Sequence, residues 1–164
     1  MTANTLELTH IPDVEVGMLV RRPPDEVFQA FVDPAITSRF WFTRSTGRML
    51  PGADLQWDWE MYGVSAKVRV HEVEDRSRIR FEWGDEWGDD KATTVEVRFT
   101  PRGNDATYVE VVETGLSGNG DEVASLVAGS TGGFTIVLCA LKALLEHDIV
   151  LTAIRDRFPD GLGY

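Results

Sequence analysis

Hydrophobic and polar residues alternate along most of the middle of the chain, and turn residues separate the alternating segments. The pattern begins in residues 13–22, where Val14, Val16, Met18 and Val20 share one face. Similar alternation recurs in five further segments, at residues 55–60, 64–71, 79–83, 94–99 and 107–111. Because the connections are short, the pattern predicts an antiparallel meander of about six strands with one apolar and one charged face.

Two short helices are predicted between the first and second of these strands. Proline and acidic residues at positions 23–26 suit the first turn of a helix. An apolar stripe at helical spacing follows, formed by Val27, Phe28, Ala30 and Phe31. The Asp33-Pro34 step interrupts this stripe, and we expect a second short helix from Pro34 through Phe42.

The sequence of the C-terminal third of the chain predicts a helix that covers the apolar face of the sheet. Hydrophobic residues recur there at spacings of three and four, at Phe134, Val137, Leu138, Leu141, Leu144 and Leu145. This rhythm predicts an amphipathic helix of about four turns that ends near His147. A separate short helix is predicted over 121–128. The glycine-rich residues 129–133 then predict a flexible joint between the two helices or a poorly helical first turn of the longer one.

Together these elements predict an α+β domain of the helix-grip kind, in which a curved antiparallel sheet wraps around a long C-terminal helix. The domain is expected over residues 13–150. An N-terminal tail (1–12) precedes it and a C-terminal extension (151–164) follows it. A length of 164 residues suits one domain, and a hydrophobic fraction of 43% is enough to build a sizeable core.

The net charge and the cysteine content limit which binding partners and which cellular compartment are expected for this protein. A formal net charge of −11 argues against nucleic acids and against anionic membrane surfaces, which attract clusters of Lys and Arg. No stretch approaches the roughly 18 consecutive apolar residues of a membrane span, and the N-terminus does not resemble a secretory signal. Cys139 is the only cysteine, so we expect a reducing, cytoplasmic location. The three histidines lack metal-ligand spacing, so neither a metal nor a cofactor is expected.

Aromatic side chains concentrate on the apolar face of the predicted sheet and on the facing helix. The inward set comprises Trp41, Trp57, Trp59, Phe81, Trp83, Phe99, Phe134, Leu138 and Leu141. Two interpretations stay open, because these residues could form an ordinary core or line a cavity. Extending the alternation to the strand ends predicts that two carboxylates, Glu72 and Glu113, also point inward.

Two stretches of the chain resemble a known superfamily. The first is PDEVFQAFVDP at residues 24–34, which continues to the aromatic cluster RFWF at 39–42. The second is GFTIVL at 133–138, followed by LKALLE at 141–146, with Phe134 where the family usually has Trp. Over about residues 13–150 the chain resembles the START-like (Bet v 1-like, SRPBCC) superfamily. Within it, the chain is similar to the family related to the C-terminal domain of the Hsp90 ATPase activator.

The resemblance implies a gap between sheet and helix, which helix-grip relatives use for lipids, hormones or polyketides. The first hypothesis is therefore that the chain binds a small hydrophobic molecule without catalysis. A second is a cofactor of an Hsp90-type chaperone in the stress response, or another protein-interaction domain, including a homodimer. Its candidate contact surface is the acidic tip 85–90 with Trp87. A third is an enzyme of the polyketide cyclase or dehydratase type, with Glu72 and Glu113 as acid and base.

Overall fold

A computed structural model describes residues 4–162, so parts of the predicted tail and extension, residues 1–3 and 163–164, lie outside the described residues. The alternating segments form strands β1 (Val14–Val20), β2 (Arg44–Ser45), β3 (Asp54–Trp59), β4 (Val64–Glu74), β5 (Arg78–Gly84), β6 (Thr93–Arg102) and β7 (Ala106–Thr114). The helices are α1 (Pro24–Val32), α2 (Pro34–Thr37), α3 (Gly120–His147) and α4 (Ala153–Asp156). A 3₁₀ turn (Glu60–Tyr62) joins β3 to β4.

The strands form one antiparallel sheet in the order β1-β7-β6-β5-β4-β3-β2, and α3 covers its apolar face. Every neighbouring pair is antiparallel, so the predicted meander and the helix-grip fold are confirmed. The sheet has one strand more than predicted. That strand, β2, is only two residues long, which is too short to show alternation.

The second short helix ends earlier than predicted, at Thr37 instead of Phe42. The following residues Phe40, Trp41 and Phe42 are all buried. Three consecutive side chains point about 100° apart on a helix and cannot all face one core. A turn resolves this conflict, because Phe40 can pack on Phe31 while Phe42 stacks on Trp57, with ring centroids 5.4 and 4.8 Å apart.

The C-terminal cover is a single helix of 28 residues, so the predicted joint at residues 129–133 is wrong. Each glycine costs only about 1 kcal/mol relative to alanine in a helix, and apolar packing on both sides outweighs that cost. The helix begins at Asn119, whose side chain accepts a hydrogen bond from the Glu122 backbone N–H at 2.9 Å. It ends at Asp148, which adopts the left-handed conformation with φ of 51°.

By length and composition alone, α3 is apolar enough to cross a membrane. A core helix of a water-soluble domain meets the same criterion. Phe134, Val137, Leu138, Leu141 and Leu144 are buried against the rest of the domain. These residues form the apolar face that α3 packs against the sheet.

The predicted inward orientation of Glu72 is corrected by a β-bulge in β4. Val70 pairs with Phe81, but the next pair is Glu72 with Arg80, so His71 is an extra residue. The bulge reverses the alternation beyond it and turns Glu72 to the outer face. There its carboxylate accepts hydrogen bonds from the guanidinium groups of Arg78 and Arg80.

At the β2 edge of the sheet, a buried carboxylate joins three strands. Ser65 on β4 and the Gln56 side chain on β3 donate hydrogen bonds to Asp58 Oδ1, at 2.6 and 2.8 Å. Arg44 on β2 pairs with Asp58 Oδ2 at 2.8 Å. The hydrogen bonds from Ser65 and Gln56, with the nearby Arg44 charge, lower the pKa of Asp58 from 3.8 to about 2.

Asp58→Asn is expected to lower the free energy of unfolding by about 1–2 kcal/mol near neutral pH, because it removes the charge that these donors stabilise. A carboxyl with a lowered pKa stabilises the fold above its unfolded pKa of 3.8 and stops doing so as the pH falls to about 2. The difference between wild type and variant should therefore disappear over this interval in urea unfolding.

Asp54→Asn is the matched control, since Asp54 pairs with Arg69 at the exposed surface and should matter much less. An equal decrease in the free energy of unfolding in both variants would contradict the role given to Asp58. So would a difference between wild type and Asp58→Asn that persists at pH 2.

Candidate functional site

A cavity of about 460 Å³ lies between the sheet and the middle of α3. Its walls come from the ends of β3 and β5, the start of β4, the α3 face and the C-terminal residues beyond α3. Most lining groups are apolar, and the aromatic ones are Trp41, Trp59, Tyr62, Trp83, Phe134 and Phe158. A space of this size and character suits a small hydrophobic molecule.

Part of the cavity is open because small residues of α3 border it beside Phe134, Ile136 and Val137. The helix is anchored at Val123, which is fully buried, and again from Phe134 onward. No residue between these two anchors is buried. Gly129 and Gly133 line the cavity one turn apart, and a Cβ placed on either would meet no atom within 4 Å. The glycines predicted to form a joint instead keep a wall of the cavity free of side chains.

The structure divides the nine predicted cavity-lining residues into two groups. Trp41, Trp59, Trp83 and Phe134 line the cavity. The remainder are packed in the core away from it: Trp57, Phe81, Phe99, Leu138 and Leu141. Both interpretations of the aromatic set therefore hold, each for different residues. Phe99, for example, packs edge-on against Phe28 and Phe31 of α1, with centroids 5.6 Å from each.

Trp41 connects the core to the cavity. Its ring lies 5.0 Å from that of Trp57 on the core side. On the cavity side it lies 5.9 Å from Trp83 and 6.1 Å from Phe134. Trp83 and Phe134 stack on each other at 5.8 Å. These neighbouring rings fix the wall in one arrangement, so the cavity is largely preformed.

Glu113 points inward as predicted, but it lies behind the cavity wall and does not line the cavity. It is 3% exposed, and its Oε2 accepts hydrogen bonds from Trp83 Nε1 at 3.0 Å and from Thr93 Oγ1 at 2.5 Å. Its Oε1 has no hydrogen-bond partner among the described residues. A buried indole N–H needs an acceptor, and Glu113 supplies it. We infer that Glu113 orients Trp83.

Charged groups are sparse around the cavity. Asp85 is the only carboxylate that lines it in the described part of the chain, and Arg157 the only guanidinium. Glu72 lies on the opposite face of the sheet. Within residues 4–162 no three His, Cys, Asp or Glu side chains form a group that could hold a metal ion. The walls can therefore exclude water and hold an apolar guest, but they do not bring the two predicted carboxylates together.

Sequence reasoning missed the residues that close the cavity on its outer side. Tyr62 stands in the 3₁₀ turn, where no periodic pattern marks it. Ile154, Arg157, Phe158 and Leu162 follow α3 in the predicted C-terminal extension, which carries too few apolar residues to show a period. The Phe158 ring lies 6.0 Å from that of Tyr62. This long-range pairing has no signal in a single sequence.

Glu113→Ala is expected to lower the free energy of unfolding by about 1–3 kcal/mol, because it removes the acceptor of the Thr93 hydroxyl and leaves Thr93 Oγ1 as the one remaining acceptor of the Trp83 indole N–H. Tryptophan fluorescence should also change, since Trp83 loses its fixed orientation. Glu110→Ala, on the outer face of the same strand, is the control and should stay within about 0.5 kcal/mol of wild type. Equal effects of the two substitutions would show that Glu113 does not hold Trp83.

Comparisons with known proteins extend these observations. A protein SSP2350 from Staphylococcus saprophyticus has a similar structure, with a TM-score of 0.73 and 27% identity over 85% of this chain and 96% of that one. DynU16, described as a putative protein in the dynemicin biosynthetic locus, has a TM-score of 0.70 and 28% sequence identity over 84% of this chain. The match spans only 48% of the DynU16 chain.

The Aha1 dimer from Colwellia psychrerythraea shares the fold, with a TM-score of 0.71 and 14% identity over 83% of this chain and 97% of that one. A comparison with curated proteins finds no match. The family model described as "Activator of Hsp90 ATPase homolog 1-like protein" matches residues 21–146, most of the chain. The chain therefore belongs to the family of Hsp90 ATPase activator homologues, within the helix-grip fold.

Proposed function

We propose that this protein binds a small, largely apolar molecule in the cavity between the sheet and α3, without changing it chemically. The observation that carries this proposal is the aromatic-walled space of about 460 Å³, which Gly129 and Gly133 of α3 leave open on the helix side. Ligand cavities in proteins typically measure about 300–1,000 Å³ and are lined mainly by apolar and aromatic groups.

Flat ring systems suit this cavity best. Trp59, Trp83 and Phe134 present π-faces and edges to the space, and such groups pair well with a planar guest. DynU16, a structural relative, is named for a biosynthetic locus. A small organic molecule as the ligand of this chain is consistent with that context.

The arrangement of carboxylates favours binding over catalysis. An acid–base mechanism needs groups within hydrogen-bond reach of the guest. Glu113 is separated from the cavity by Trp83, and Glu72 lies on the outer face, bound to arginines. Asp85 alone would have to serve both roles. We therefore place the cyclase or dehydratase hypothesis behind simple binding.

Gly133→Leu is expected to abolish guest binding while leaving the fold intact. The new side chain would enter the open space of the cavity, and leucine favours a helix over glycine by about 1 kcal/mol. A naphthalene-based fluorescent probe can report binding, and native mass spectrometry can identify any guest retained from a library of apolar metabolites. We expect the dissociation constant to rise at least about tenfold.

Gly132→Leu provides the matched control. Gly132 is the adjacent residue on the same helix, and a Cβ there also meets no atom within 4 Å, but it does not line the cavity. Its affinity should equal that of wild type. Equal affinity in Gly133→Leu and wild type would place the guest elsewhere, and a lack of binding by wild type across the library would refute the proposal.

A second candidate is cooperation with an Hsp90-type chaperone, which the family description favours. The surface that would support it is the β5–β6 tip, where Trp87 is 42% exposed and the Lys67 ammonium lies 4.7 Å from its ring. A large exposed aromatic group of this kind is a common anchor at protein interfaces. The same tip could serve contact between two copies, and a relative of this fold is described as a dimer.

Trp87→Ala is expected to weaken chaperone binding about tenfold or more if this second function holds, with little change in stability. The measurement is the ATPase rate and pull-down of an Hsp90-type chaperone, with sedimentation to report dimers. Phe158→Ala, another exposed aromatic residue away from the tip, is the control. Absence of any binding by wild type at micromolar concentration would exclude the chaperone role.

A further inference from the structure

The residues that follow α3 form a strap, defined here as 149–162, and they lie outside the matched family region of 21–146. The strap crosses the outer side of the cavity and contains the short helix α4. Ile154, Arg157, Phe158 and Leu162 from the strap line the cavity. The binding site is therefore completed by a segment that the family model does not include.

A second cavity, of about 320 Å³, lies on the other side of the strap. Its walls come from Phe40, Trp41, Phe42, Met61 and the strap residues Val150 and Leu151, among others. Trp41 and Ile154 line both cavities. Ile154 of the strap therefore lies between two neighbouring cavities.

The strap is held to the rest of the domain by few polar contacts. Beyond the end of α3, every hydrogen bond that joins 150–162 to the rest of the described chain involves the Tyr62 hydroxyl. This hydroxyl shares its one proton between the carbonyl oxygens of Ile154 and Arg155, the latter at 2.9 Å, and accepts from the Phe158 N–H at 3.4 Å. The Ile149 N–H donates to the Ala143 carbonyl at the end of α3, and the remaining strap hydrogen bonds lie within the strap.

Apolar packing of the strap involves the partly buried Ile154, which contacts the core, and Phe158, whose ring packs on Tyr62. Ile149, Val150 and Phe158 are each roughly half exposed, and no strap residue among those described is fully buried. A segment with few buried contacts and few hydrogen bonds opens at low free energy compared with the core. Because one side chain carries nearly all of the polar contacts, Tyr62 is the natural latch.

We propose that the strap is a movable partition, latched by Tyr62, that sets the length of the guest. This inference rests on the proposed binding function and deepens it. With the latch closed, the protein holds compact apolar molecules in the larger cavity. When the strap is displaced, the two cavities join into one groove that accepts longer apolar chains. Tyr62 and Ile154 are then the residues that determine size selectivity.

The test compares wild type with Tyr62→Phe, which removes the hydroxyl and keeps the ring that packs on Phe158. The probes are a series of straight-chain alcohols from octanol to hexadecanol, measured by displacement of a fluorescent naphthalene probe. Hydrogen exchange of the strap peptide, measured without any guest, reports its opening directly. Tyr108→Phe is the control, because Tyr108 lies on β7 and its hydroxyl has no hydrogen-bond partner among the described residues.

We expect exchange in the strap to accelerate about tenfold in Tyr62→Phe, the loss that follows from removing its hydrogen bonds, and to stay unchanged in the control. The preference for long over short alcohols should rise by a similar factor. Unchanged exchange and an unchanged length preference would overturn the partition. Failure of wild type to bind any alcohol or the probe would instead overturn the binding function, so the two proposals fail in different ways.

Discussion

The structure depends on how α3 packs on the sheet: buried residues hold it at two places, and only the partly buried Val127 contacts the core between them. Val123 anchors the start of the helix, and the leucine-rich segment from Phe134 anchors its end. Between these anchors lie the exposed Leu126, the partly buried Val127 and a run of small residues, in which Gly129 and Gly133 line the cavity. Because α3 is one continuous helix whose hydrogen bonds are internal, its middle cannot collapse into the gap on its own. A cavity follows directly from this arrangement.

The aromatic residues near the cavity fall into two groups with different roles. Trp57, Phe81 and their neighbours fill the core, while Trp41, Trp83 and Phe134 pack on one another and form a rigid wall. Glu113, on the side of Trp83 away from the cavity, supports that wall by accepting a hydrogen bond from the Trp83 indole N–H. A wall fixed in this way binds a guest without first paying to order its own side chains, which is why preformed sites bind tightly for their size.

Much of the fold could be predicted from the sequence because alternation and helical spacing are local signals. The strands from β3 to β7, α1 and the second half of α3 follow from them. The β-bulge at His71 could not be predicted, since one extra residue leaves no mark on composition yet reverses the orientation of Glu72. The glycines at 129–133 were predicted as a joint because propensity alone favours a break, whereas packing at both ends keeps the helix intact. The strap residues were missed because their contacts with Tyr62 join positions far apart in the chain.

The central claim is that the space between α3 and the tryptophans holds a guest. A crystal structure of the protein grown with a planar apolar compound that stabilises it in solution tests this claim most directly. The account predicts continuous density for the compound against Trp59 and Trp83, in contact with the backbone of Gly129 and Gly133. A structure in which residues 129–133 of α3 lie directly on Trp59 and leave no space for the compound, or in which the compound binds only at the outer surface, would contradict it.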